Sequence, residues 1–211
     1  TMFRAQARAI RDFDYDWALF QLHDALEFAA LGLKVTRDEE NILPGVASSL
    51  PIEEETIRRL RVPDFRALPE IRVFLDAIRM TRREFGDDAL VVGRLAAPFT
   101  SAVLLHGISE TMLALADPCQ RDLVLRTARF FEELQYAFFL EQREAGAHAI
   151  WLGDCLASSK FISLAMHRDL AFDGNRSLVR RLRDAGAYVF FEPADDRPDF
   201  IRLYAEEGID A

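Results

Sequence analysis

The stretch Leu90-Val91-Val92-Gly93-Arg94-Leu95-Ala96-Ala97-Pro98-Phe99-Thr100-Ser101-Ala102 decides the fold. Leu90, Val91, Val92 and Leu95 make the short apolar run expected of a parallel strand covered on both faces. Ala96-Ala97-Pro98 ends it, because proline has no N–H to give to a strand ladder. Residues 99–102 then read as a loop that offers the hydroxyls of Thr100 and Ser101 where a strand ends, the place where folds of this kind keep their chemistry.

Working outward, Pro69 sits at a favoured first-turn position. Ile71, Phe74, Leu75, Ile78, Met80, Thr81 and Phe85 then give a helical stripe closed by Gly86. Downstream, Asp117-Pro118 is a cap followed by a first-turn proline, and it predicts a long helix to about residue 144. Ala145-Gly146-Ala147 stops that helix, and residues 148–153 read as a second buried strand ending at Asp154-Cys155. Helices over 161–170 and 175–184, a stop at Ala185-Gly186-Ala187 and a strand over 188–191 ending at Glu192 complete another cycle, with a last helix from Pro198.

Upstream, residues 3–13 suit an amphipathic helix, and 16–22 a strand with His23 and Asp24 at its end. Lys34-Val35-Thr36 is a brief strand candidate. Residues 38–68 read as an irregular excursion holding one short helix over 53–60. Helix, small-residue stop, apolar strand and acidic residue thus recur in order, which is the pattern of βα units around a parallel sheet of (β/α)8 TIM-barrel type, an α/β fold. About five strands are legible where a closed barrel needs eight.

The composition is that of a soluble globular chain: half of the 211 residues are hydrophobic and 29% charged. A formal net charge of -9, spread along the chain, argues against a nucleic-acid surface. No apolar run reaches the ~20 residues that span a bilayer, and the first residues lack a signal peptide's apolar centre, so a cytoplasmic protein is expected. Two cysteines, Cys119 and Cys155, make no disulfide framework.

Gly93 to Thr100, with Ala97-Pro98-Phe99-Thr100, resembles the Gly-x-x-x-Ala-Pro-(Trp or Phe)-Thr segment of the uroporphyrinogen decarboxylase superfamily. Ala145-Gly146-Ala147 with its strand and Asp154, and the strand ending at Glu192, are similar to that family's next two strands. Residues 16–32, Pro44 and Pro51-Ile52 also fall in its order. The superfamily joins haem-pathway decarboxylases to corrinoid-linked methyltransferases, both (β/α)8 barrels. The resemblance covers essentially residues 1–211 as one domain but only the middle of the barrel: the family's first strand would precede Thr1 and its last two or three would come after Ala211. Such a remainder exposes sheet edges, so further residues or a partner chain, as in a homodimer, are expected to cover them.

By resemblance, Asp24 matches the decarboxylase carboxylate that accepts pyrrole N–H groups, where it would stabilise positive charge as a ring is protonated. A helix cap before Ala25 would look the same in sequence. Leu104 stands where the decarboxylases carry a tyrosine, and Cys155 where they carry a serine. The methyltransferase branch holds zinc with His-x-Cys at the strand end that here reads Glu192 and Ala194, so a zinc site of that kind is not expected. His106 either faces the pocket as an acid or base or packs against a loop. Asp154 either serves the site or caps the next helix.

The expected site is therefore built from Asp24, Asp154, Thr100, His106, Cys155 and Glu192, and the expected function is methyl transfer with a corrinoid carried on a partner protein. Uroporphyrinogen III decarboxylation, which needs no cofactor, is the second reading. A non-catalytic barrel binding a tetrapyrrole or a partner chain is the third.

Overall fold

The computed structural model describes residues 2–20, 25–36, 45–46 and 48–206. Helix α1 (Met2–Phe13) leads to strand β1 (Trp17–Leu19), α2 (Ala25–Ala30) and the two-residue strands β2 (Val35–Thr36) and β3 (Gly45–Val46). Helices α3 (Glu54–Arg59) and α4 (Pro69–Phe85) precede β4 (Leu90–Ala96), and α5 (Pro98–His106), α6 (Ile108–Ala114) and α7 (Pro118–Ala145) come after it. Strand β5 (Ala149–Gly153), helices α8 (Leu164–His167) and α9 (Asp173–Asp184), strand β6 (Tyr188–Glu192) and α10 (Pro198–Glu206) complete the order.

Four strands form one parallel sheet in the order β1-β4-β5-β6, and the short β2–β3 pair is a separate antiparallel ribbon. The brief strand at 34–36 therefore does not join the main sheet: two residues are too few to pair along it, and they find a local partner instead. Side chains alternate across a strand, so the register sorts the sheet into two faces. Ala18, Val91, Leu95, Ile150, Leu152, Val189 and Phe191 lie on one face and are buried in the main core beneath the helices. Trp17, Arg94, Trp151, Tyr188, Phe190 and Glu192 share the other.

The helix ends obey their local chemistry. Asp117 accepts hydrogen bonds from the backbone N–H groups of Cys119 and Gln120, which caps the 28-residue α7. Gly146 ends that helix at φ 110°, a conformation that costs a side-chain-bearing residue and costs glycine little. Two expectations change. Thr100 and Ser101 lie in the first turn and a half of α5 rather than in a loop, because Pro98 both ends β4 and starts the helix with its fixed φ. The helices read over 161–170 and 175–184 form one continuous run from Leu164 to Asp184. It starts at the Ser163 cap, and a π-turn at Arg168–Phe172 absorbs the break.

Candidate functional site

Where β5 ends, the chain places a carboxyl group in the protein interior. Asp154 is 1% exposed and accepts hydrogen bonds from Thr100 Oγ1 at 2.6 Å and Asn175 Nδ2 at 2.6 Å. Thr100 comes from α5 and Asn175 from α9, so Asp154 ties the end of β5 to two helices. Thr100 Oγ1 also receives the backbone N–H of Leu156 at 3.1 Å, which fixes the turn after the strand. A buried carboxyl without such partners would cost several kcal/mol. Even with them, burial pushes its pKa above the ordinary aspartate value, and the two hydrogen bonds pull the other way.

The network continues toward the last helix. Asn175 Nδ2 donates to Tyr204 Oη at 3.0 Å, and Tyr204 meets His167 Nε2 at 2.5 Å. His167 Nδ1 faces the carbonyl of Ala157 at 2.8 Å. A carbonyl only accepts, so the proton of His167 sits on Nδ1. Nε2 then accepts the hydrogen bond that the Tyr204 hydroxyl donates. The phenol of Tyr204 is held far above its usual pKa, chiefly by burial. No local spacing in the sequence ties Asn175, His167 and Tyr204 to Asp154: they sit 21, 13 and 50 residues beyond it, the first two on the helical run from Leu164 to Asp184 and the third on α10.

The opposite face of the sheet is aromatic. Trp17 and Phe190 meet edge to face with centroids 6.0 Å apart, and Trp17, Tyr188 and Phe190 are 45%, 70% and 40% exposed. Arg94 of β4 is in register with Trp151 of β5, and its guanidinium carbon lies 5.5 Å from the indole centroid. That indole lies over Gly153: a Cβ there would come within 2.5 Å of the ring. Glu192, in register with Gly153, places a half-buried carboxylate at the carboxyl end of the same face. Among the described strand residues of this face, Arg94 is the one cation. The alternation of residues 94 and 96 against 91, 93 and 95 could have separated the two faces in sequence once the register was known.

Thr100 and Asp154 are thus brought together on the helix side of the sheet, whereas Glu192 ends the aromatic side. His106 lies apart from both: its Nδ1 meets the carbonyl of Leu50 and its Nε2 the Thr127 hydroxyl, each at 2.9 Å. It borders a cavity of about 320 Å³ with Ser49, Pro51, Glu110 and Gln120. Burial lowers its pKa, and the bond to Leu50 opposes that shift. Cys155 is exposed and, like Cys119, forms no disulfide. Asp24 and His23 lie outside the described residues. No three His, Cys, Asp or Glu side chains among the described residues converge as a metal would require, and Ala194 offers no ligand atom.

A parallel sheet with helices on one face and an open aromatic wall on the other is part of a (β/α)8 barrel. The same fold occurs in a methyltransferase from Methanosarcina mazei, with a TM-score of 0.80 at 18% identity. The alignment takes in 98% of this chain and 58% of that one, so the chain spans a little over half the length of that neighbour. Among curated proteins none matches the chain. The chain belongs to the uroporphyrinogen decarboxylase (URO-D) family, whose pattern it matches over residues 1–211. No helix among the described residues is long and apolar enough to cross a membrane.

Proposed function

We propose that this chain is the central part of a methyl-transferring member of its family, one that moves a methyl group between a corrinoid carried by a partner protein and a small acceptor. The observation that carries this reading is the aromatic face. Among the described strand residues it presents Trp17, Trp151 and Phe190 with one guanidinium, Arg94, and one carboxylate, Glu192, the last at the carboxyl end of β6 where barrel enzymes do their chemistry. An apolar wall with one cation suits a methyl group and a small acceptor. A tetrapyrrole with several carboxylates would call for several cationic partners. Leu104, which packs among the apolar clusters of α5, adds no hydroxyl for a pyrrole ring. The methyltransferase fold of the structural neighbour supports the same reading.

In this mechanism the acceptor heteroatom attacks the methyl carbon, and the departing group keeps the electron pair of the broken bond. The acceptor's own proton goes to Glu192, the carboxylate on that face. Asp154 and Thr100 act behind the sheet and hold the start of the loop over residues 154–159 in place. A corrinoid supplies an activated methyl group when it docks at the barrel mouth, and none of the residues described is assigned to hold zinc.

The test is to incubate the purified protein with methylcobalamin and a small thiol, tracking loss of the methylated corrinoid spectrum and formation of the thioether. Uroporphyrinogen III is offered in parallel. Thioether formation that needs the protein supports the proposal. Carboxyl loss from uroporphyrinogen without methyl transfer would replace it with the decarboxylase reading, and binding without turnover of either would leave a non-catalytic barrel.

A further inference from the structure

We propose that Asp195 is a positioning residue: it joins the loop after β5 to the loop after β6 and so holds Glu192 where the acceptor gives up its proton. The proposal rests on the methyl-transfer reading. The two loops start together, since the backbone N–H of Asp154 donates to the carbonyl of Glu192 at 2.8 Å. They then part, one running through residues 155–158 and the other through Pro193 and Ala194, and they meet again at Asp195. Its carboxylate accepts the Ser159 N–H, the Ser159 hydroxyl at 3.1 Å and the Arg197 N–H at 2.9 Å. Hydrogen bonds at both ends thus close the two segments into one ring over the carboxyl ends of β5 and β6.

The ring is stiff on both sides. Pro193 has a fixed φ, which removes one freedom between Glu192 and Asp195. Ala194 takes φ 50°, a left-handed conformation that a residue with a Cβ enters at a cost and keeps where its surroundings hold it there. The three bonds on Asp195 supply that hold. On the β5 side, Thr100 fixes the Leu156 N–H and His167 the Ala157 carbonyl, so Ser159 is presented from an ordered turn. Burial by itself would raise the pKa of Asp195, but the hydrogen bonds from Ser159 and Arg197 outweigh it and hold the carboxyl below the ordinary aspartate value, so it stays an acceptor at neutral pH. Glu192 is three residues away and is anchored on both sides, by its ladder bond to Asp154 and by Asp195. A carboxylate that receives a proton must sit within hydrogen-bond reach of it, and a slip of about 1 Å in such a group costs about 10²-fold in rate.

The test compares Asp195→Ala, Asp195→Asn and Ser159→Ala in the full chain. Methylcobalamin and mercaptoethanol are the substrates, and hydrogen exchange of the peptide over residues 155–162 is a readout that needs no turnover. Asp195→Ala should speed that exchange about tenfold and lower kcat about 10²-fold, with the KM for the thiol within a few fold of the parent. Asparagine can turn its oxygen to the Ser159 N–H and its NH2 group to the Ser159 hydroxyl, so Asp195→Asn should restore most of both. Ser159→Ala removes the hydroxyl bond and keeps the backbone one, and should move both readouts about threefold.

Exchange that ignores Asp195→Ala overturns the join between the loops. Faster exchange at unchanged kcat overturns the positioning role. A raised KM at constant kcat does the same, because it would place Asp195 in acceptor binding. If Asp195→Ala does not fold, Ser159→Ala decides by the same two readouts, and either one unmoved overturns the proposal. A parent protein without methyl transfer is a different result: it removes the enzyme reading and the positioning role with it, whereas an active parent whose kcat ignores Asp195→Ala loses the positioning role and stays an enzyme.

Discussion

Gln142 hydrogen-bonds both backbone groups of Arg94, receiving its N–H at 2.8 Å and donating to its carbonyl at 2.9 Å. One side chain from the helix layer thus does for the strand what a neighbouring strand would do. It reaches the strand only because residue 93 is glycine: a Cβ there would lie 2.2 Å from Gln142 Oε1 and 2.9 Å from Ile150 Cδ1. Gly93→Ala should accordingly lower stability by about 1–3 kcal/mol through overpacking. Gln142→Leu, which removes the amide, should cost a similar amount because two backbone groups lose their partner. Denaturant titrations of both variants check this, and a neutral Gly93→Ala would mean that Gln142 moves aside freely.

Asp154 gives a pH signature. Its folded pKa is raised by burial, so its contribution to stability is fully present below the unfolded aspartate value of about 3.9 and declines as pH rises through the folded value. Asp154→Asn removes that titration. The parent should therefore lose stability relative to the variant as pH rises above about 4, measured as the difference in their denaturation midpoints. A difference that stays flat with pH would show that Asp154 titrates as an ordinary exposed carboxyl.

His106 has the opposite sense. Its folded pKa is depressed, so the stability it contributes is present above the unfolded histidine value of about 6.5 and is lost as pH falls through the folded value. Replacing it by Gln, which keeps an amide near Leu50 and Thr127, should flatten the acid side of the stability curve. The check is thermal denaturation of both proteins across that range. Limited proteolysis around residues 48–52 should accelerate in step with the loss, since Leu50 is held by His106 and by the carbonyl of Leu105.

Tyr204 should stay protonated until the fold is lost. Of the four tyrosines it is the one with a hydroxyl enclosed between Asn175 and His167. In alkaline titration its phenolate band should appear only together with unfolding. Tyr204→Phe should cost about 1–3 kcal/mol, because it strands His167 Nε2 and one Asn175 N–H in the interior.

Glu192→Gln should reduce methyl transfer by about 10²–10⁴-fold with little change in the acceptor's KM, as expected when a general base is lost and binding is kept. The assay is thioether formation, and activity within a few fold of the parent would remove Glu192 from the proton-accepting role.

The candidate site was legible in part. Asp117-Pro118, Gly86 and Gly146 marked helix boundaries because caps and positive-φ glycines act within a few residues. Thr100 and Asp154 were visible as polar residues at strand ends, but the start of α5 at Pro98 was not, since proline closes a strand and opens a helix with equal ease. Arg94 was visible as the one arginine inside a strand, yet nothing near it said which face it takes.

The sequence by itself determined the class of fold: the order of apolar runs, stops and caps is local, and it prescribes alternating helices and parallel strands. The family resemblance rested on the same linear order, carried by Gly93 to Thr100 and the strands ending at Asp154 and Glu192. Tertiary structure alone decided that Asp154 belongs to a buried polar knot with Thr100, Asn175, Tyr204 and His167, and that Arg94 lies over Trp151 on the far side of the same sheet. The reason is geometric. Strand register sets which face each side chain takes, and register comes from long-range pairing that no window of neighbouring residues contains.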